Sequence, residues 1–214
     1  LKIMNNIILI LIGKSIIFLS KILNLGSGST WPGHIALTLN PNFIKKTLRS
    51  HIPSGKLKIV VIAGTNGKTT TGKLISEILK ADKKRVLHNA AGANLLNGLA
   101  STLIKGSSLT ESHLVRLDHD YLIFECDENA FPDIMEQTNP HYVICLNLFR
   151  DQLDRYGEID SVAKKWQKAI NLLPGKTTLI LNADDPQVSY LAGFSKTKQL
   201  FFGLDEAGSK ETKK

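Results

Sequence analysis

The chain has 214 residues, of which 43% are hydrophobic and 21% charged, with two cysteines and a formal net charge of +8. Those proportions belong to a globular chain with a real core and exclude a disordered chain or a disulfide scaffold. The positive excess suits an anionic ligand. Aromatic residues are not interleaved with the basic ones as single-strand binders require, so no nucleic-acid partner is expected.

Residues 1–25 read as an apolar N-terminal helix, its Ile7–Leu25 run interrupted by Lys14 and Lys21. At a helical period Asn6, Lys14, Ser20, Lys21 and Asn24 share one face, and Ile and Leu fill the wider remainder. Three readings stand for it: a helix on a membrane surface or packed on the main domain, a spanning helix with Lys14 at mid-bilayer, or a signal peptide lacking a small-residue cleavage site. Residues 26–57 read as a linker, flexible through Gly26–Gly33 and ending in a turn, then a weakly alternating stretch at His34–Leu39 and a short helix within Asn42–His51. This is too little chain for a complete preceding α/β domain.

From Lys58 the pattern alternates. Strands are expected at Ile59–Ala63, Arg85–His88, Tyr121–Cys126, His141–Leu146, Thr177–Leu181 and Gln199–Phe202. Helices are expected at Lys68–Lys80, Leu95–Ile104, Pro132–Thr138, Ser161–Leu172 and near Pro186–Leu191. Lys105–Leu117 reads as a polar surface loop. The spacing predicts an α/β domain over 58–204, a mostly parallel sheet with helices on both faces, followed by a polar tail at 205–214. Cys126 and Cys145 fall inside strands, as buried reduced thiols would, which favours a cytoplasmic protein.

The chemistry concentrates where the first strand ends. The β-branched run Ile59–Ala63 meets Gly64-Thr65-Asn66-Gly67, and a helix opens with Lys68, Thr69 and Thr70. Strand, glycine loop, Lys-Thr and helix is the order a triphosphate site needs. Loop amides and the helix N-terminus surround phosphate, Lys68 reaches the β- and γ-phosphates, and the Thr69 hydroxyl takes one position on Mg²⁺. The general pattern wants a glycine where this chain has Ile62.

Three further polar clusters follow later strands, at the sheet edge where ligands bind in such folds. Glu125, Asp127 and Glu128 suit the Mg²⁺ that bridges nucleotide phosphates, and as plain loop carboxylates they would be solvated. The Asn147–Tyr156 stretch, with Asp151, Gln152 and Arg155, could bind metal, phosphate or a substrate carboxylate, or form a helix-start ion-pair cluster. Asn182–Pro186, with Asp185, is on its own a turn with a helix cap.

Taken together, GTNGKTTT at Gly64–Thr71, Glu125 after its strand, Asn94 in GANLLNG and LNADDP at Leu181–Pro186 resemble the Mur ligase superfamily of ATP-dependent ligases. The stretches Ser29–Pro41, His88–Ser101, Glu125–Pro132 and Asn147–Asp160 are similar to the MurT family within it, the ligase-like subunits of lipid II isoglutaminyl synthases. That resemblance implies ATP and Mg²⁺ as cofactors, with Lys68 and Glu125 catalytic and Thr69 and Glu125 on the metal. It places Gly64 to Thr70, Asn94, Asn182 and Asp185 on the nucleotide. It also implies a GatD-type glutaminase partner, a lipid II substrate and peptidoglycan synthesis at the inner face of the membrane.

Gln152 stands where other Mur ligases carry a metal-binding histidine, and the lysine many of them carbamylate would fall near Gln167. The family's zinc ribbon and C-terminal domain do not fall within these residues, so the chain reads as the N-terminal part of a longer protein. Two other readings are a folylpolyglutamate synthase-like or UDP-MurNAc-peptide ligase, and a non-catalytic ATP-binding fragment.

Overall fold

The computed structural model describes residues 5–23, 30–49, 57–89, 92–109, 115–148 and 156–204, with the side chains of 109, 115 and 156–160 left aside. Three helices, α1 (Asn6–Ile22), α2 (Trp31–Leu39) and α3 (Phe43–Arg49), precede the first strand, β1 (Lys58–Ala63). Then follow α4 (Lys68–Ala81), β2 (Val86–His88), α5 (Leu96–Gly106), a hairpin of β3 (Ser107–Leu109) and β4 (Val115–Leu117), and β5 (Tyr121–Cys126). The chain continues through α6 (Phe131–Thr138), β6 (Tyr142–Cys145), α7 (Tyr156–Asn171), β7 (Thr178–Asn182), α8 (Pro186–Tyr190), a 3₁₀ turn at Leu191–Phe194 and β8 (Lys198–Phe202).

Six strands form one sheet in the order β2-β5-β1-β6-β7-β8, every neighbouring pair parallel. The order explains how the helices are shared out. Only the step from β1 to β2 runs toward that edge, and right-handed crossovers then place its helix opposite all the others. Accordingly Ile75 and Leu79 of α4 pack on Val60, Ile62, Ile123 and Ile144. The other face carries the larger core, where Phe43, Leu99, Leu103, Phe131, Ile134, Trp166 and Ile170 meet Ile59, Val61, Phe124, Val143 and Leu179. Phe131 and Trp166 stack with centroids 4.3 Å apart.

The expected parallel α/β sheet is therefore present, with most boundaries within a residue or two. The local differences have physical causes. Trp31, Pro32 and Gly33 begin α2 instead of ending a linker, because proline is preorganised for the first helical turn and lacks only an N–H that would have no partner there. Gly33 lets α2 press onto α5: a Cβ there would lie 1.9 Å from the Asn97 carbonyl oxygen, and its N–H donates to Ser101 Oγ at 2.8 Å. The Lys105–Leu117 stretch is not a plain loop, since its ends pair as the antiparallel β3–β4 hairpin with Ser107 and Leu117 buried. Helix α7 begins at Tyr156, five residues before the expected Ser161. The first part of the expected linker, 26–29, and the expected polar tail at 205–214 lie outside the described residues. Both cysteines are free and buried, and burial pushes both thiols up.

Candidate functional site

At the carboxyl ends of β1, β5, β6 and β7 the sequence-predicted residues converge. The loop after β1 turns twice through backbone that favours glycine: φ is +154° at Gly64 and +85° at Gly67. A Cβ at Gly64 would press within 3.2 Å of Leu146 and Asn147. The missing pattern glycine at Ile62 now has a reason. That residue is still strand, fully buried against α4, and Gly64 makes the first turn two residues later. Gly67 then caps α4 with no side-chain hydrogen bond to its first turn, an arrangement suited to an anion at a helix N-terminus.

Lys68 folds back over this loop. Its Nζ donates to the Gly64 carbonyl oxygen and, at 2.9 Å, to that of Thr65, and lies 4.0 Å from Glu128 Oε2. Beside it the Thr69 hydroxyl donates to Glu125 Oε2 at 2.5 Å. The side chains expected to share Mg²⁺ are thus adjacent, though 56 residues apart in sequence. Among the described residues no three His, Cys, Asp or Glu side chains converge on a metal position. A phosphate-site Mg²⁺ fits this arrangement, because it takes only one or two protein oxygens and completes its shell with phosphate and water.

Two residues that sequence reasoning did not single out hold Glu125. His88 Nε2 lies 2.9 Å from Glu125 Oε1, and it fits there only because Gly72 of α4 has no side chain: a Cβ would stand 2.6 Å from that nitrogen. Burial pushes the Glu125 carboxyl up, but His88 and the Thr69 hydroxyl outweigh it and hold it below the ordinary glutamate value. Buried Asn89 grips the backbone of the same residue. Its Oδ1 accepts the Glu125 N–H at 2.7 Å, and its Nδ2 donates to the Glu125 carbonyl at 3.0 Å and to that of Ala93 at 2.6 Å. Asn147, the first residue of the polar stretch expected after β6 to bind metal, phosphate or substrate, clamps the glycine loop instead. It accepts the Asn66 N–H at 2.8 Å, donates to the Asn66 carbonyl at 3.0 Å, and its own carbonyl accepts from Thr65 at 3.1 Å. Each of the three sits at or just past a strand's end, and that position was the available signal.

The remaining predicted residues divide. The Asn94 carbonyl accepts the Asp127 N–H at 3.0 Å, which ties the loop after β2 to the acidic loop after β5. Asp127 Oδ1 accepts the Asn129 N–H, and the Glu128 carbonyl accepts the Trp166 indole N–H at 2.8 Å. Asn182 donates to the Leu146 carbonyl at 2.8 Å. Asp185 is buried and fully engaged: Oδ1 caps α8 through the Gln187 and Val188 N–H groups, and Oδ2 accepts the Leu148 N–H at 2.9 Å. Asp151, Gln152 and Arg155 lie outside the described residues.

A parallel sheet with a glycine loop, a lysine and a hydroxyl–carboxylate pair at its carboxyl edge defines an α/β domain of the class that binds ligands at that edge. Residues 62–214 match the Mur ligase middle domain. The chain belongs to the Mur ligase family. It is 36% identical over 177 residues to the lipid II isoglutaminyl synthase (glutamine-hydrolyzing) subunit MurT of Staphylococcus aureus strain COL, a match covering 83% of this chain and 37% of that one. The MurT subunit of Streptococcus pneumoniae is 35% identical over 162 residues, covering 76% and 33%. The fold is similar to that of MurF from Thermotoga maritima in complex with ADP, with a TM-score of 0.59 at 18% identity, covering 75% of this chain and 35% of that one. The chain therefore spans about a third of the length of the curated relatives it matches.

Proposed function

We propose that this chain is the nucleotide-binding part of a MurT-type ligase subunit, acting with ATP and Mg²⁺ in peptidoglycan synthesis. The observation that carries the reading is the Thr69–Glu125 pair at the mouth of the glycine loop, in a chain whose similarity to MurT subunits spans most of its length. In the whole protein the free α-carboxylate of the stem-peptide D-glutamate in lipid II attacks the γ-phosphorus of ATP, giving an acyl phosphate and ADP. Ammonia from a GatD-type glutaminase then displaces phosphate and leaves D-isoglutamine.

Phosphoryl transfer of this kind needs positioning and charge neutralisation more than covalent help. The loop amides and Lys68 supply positive charge to the phosphates, and Thr69 and Glu125 would hold the Mg²⁺ that neutralises the rest. Gly64 to Thr70 surround the phosphates, while Asn94, Asn182 and Asp185 stand toward the adenine side. Asp185 acts there by fixing the start of the loop after β6 at Leu148.

The test uses the full-length gene product with a glutaminase of this type, glutamine, ATP and lipid II. Mass spectrometry should show conversion of the glutamate carboxyl to the amide, lost in Lys68→Ala and Glu125→Ala. Addition of an amino acid to a UDP-linked or folate substrate instead would point to another Mur ligase activity. The present chain by itself is expected to bind ATP without turning it over.

A further inference from the structure

Helix α1 is apolar on its outward side as well as its inward one. The side it turns toward the domain also carries small and polar residues. Asn6 donates to the Phe43 carbonyl at 3.2 Å and to Thr47 Oγ1 at 2.9 Å, and accepts from Asn40 at 2.8 Å. Gly13 lies so close to α5 that a Cβ would meet Ile104 at 2.8 Å. Leu9 and Ile10 are buried on the same side, and Ile17 packs against the core beside them. The outward side carries Ile8, Leu11, Phe18, Leu19, Ile22 and the capping Leu23, with Phe18 65% exposed. At 100° per residue these fall within an arc of about 140°, interrupted only by Ser15. A helix placed so in water exposes a hydrophobic stripe, which marks a surface built to be covered.

What covers it can be read from charge. Lys14 and Lys21, two turns apart, line one edge of the stripe. Residues 1–76 contain ten Lys and Arg and no Asp or Glu, and the first acidic residue is Glu77. Trp31, 66% exposed, stands at the start of the adjoining α2. An apolar stripe edged by lysines, with an aromatic residue beside it and no carboxylate on the surrounding segments, matches the boundary between anionic headgroups and acyl chains. No described helix is long and apolar enough to cross a membrane, so α1 would lie in the surface plane.

We propose that the outer face of α1 docks this protein onto an anionic lipid bilayer. The inference stands on α1 and its flanking charges and does not depend on the ligase reading. Its experiment reads binding only, so either can fail without the other.

The test is flotation of the 214-residue chain with vesicles of phosphatidylglycerol and phosphatidylcholine, and with phosphatidylcholine alone. Binding is expected to the anionic vesicles and to be lost when Leu19→Glu and Ile22→Glu are combined. Because neither side chain is packed, circular dichroism and the melting temperature should hold. Lys14→Glu with Lys21→Glu should weaken anionic binding about tenfold or more with the stripe intact, and Leu74→Glu on exposed α4 should change nothing. Equal binding to both vesicle types, or retention by the doubly acidic stripe variant, overturns the proposal. Absence of vesicle binding also overturns it. If the wild type then sediments as an oligomer that the stripe variant dissolves, the face is a protein interface.

Discussion

Gly72 matters for what it lacks. Replacing an exposed helix-interior glycine by alanine stabilises a helix by about 1 kcal/mol, but here the new methyl would displace His88 from Glu125. Gly72→Ala should therefore lower the Mg²⁺-dependent part of ATP affinity by about tenfold, as loss of an orienting partner does, and leave metal-free nucleotide binding unchanged. Calorimetry with and without Mg²⁺ checks this, and an unchanged Mg²⁺ dependence would mean His88 does not orient the carboxylate. Asn147→Ala removes both side-chain bonds to Asn66 and should weaken nucleotide binding several-fold in either condition. Lys68, Thr69 and Glu125 were legible in the sequence because a phosphate loop is a local pattern and the acid follows a recognisable strand. His88 and Asn89 were not, and Asn147 was flagged only as part of a polar cluster, because each acts across neighbouring strands on residues 36 to 81 positions away, and nothing in linear spacing reports that.

At the scale of elements, Asp185, which local sequence read as a helix cap and the family resemblance placed on the nucleotide, joins two pieces of structure. Asp185→Ala removes the α8 cap and the tie to Leu148, and should cost about 1–2 kcal/mol, read as a lower midpoint in urea unfolding. Gly33→Ala should cost about 1–3 kcal/mol by overpacking α2 against α5. Little change there would show that the two helices can separate without penalty. The buried β-branched strands were readable because each is a short apolar run between turn signals. Helix α2 was misread because Pro-Gly suggests a turn when its partner helix, nearly 70 residues away, is not in view. The β3–β4 hairpin was missed because its strands are three residues long and partly polar.

For the molecule as a whole, His141 links the start of β6 to β1, its Nδ1 accepting the Ile59 N–H at 3.1 Å. Burial, with Lys58 and Lys176 nearby, holds this imidazole below the ordinary histidine value of 6.5, and burial does the same to His119. The unfolded chain then takes up protons first as the pH falls, so this contribution to stability is complete above about pH 6.5 and is lost as the pH drops through that value toward the folded one. Thermal unfolding between pH 8 and 5 should show a falling Tm, less steep in His141→Gln, and a Tm that rises on acidification would contradict the assignment.

The central claim is that this domain binds nucleotide at the loop after β1, with Thr69 and Glu125 on the metal. Isothermal titration of Mg·ATP into the wild-type chain, Lys68→Ala and Glu125→Ala tests it most directly. The account predicts binding to the wild type that is lost in Lys68→Ala, and in Glu125→Ala retained only to the extent that binding is metal-independent. A folded wild type that binds no Mg·ATP, or binding untouched by either substitution, would contradict it.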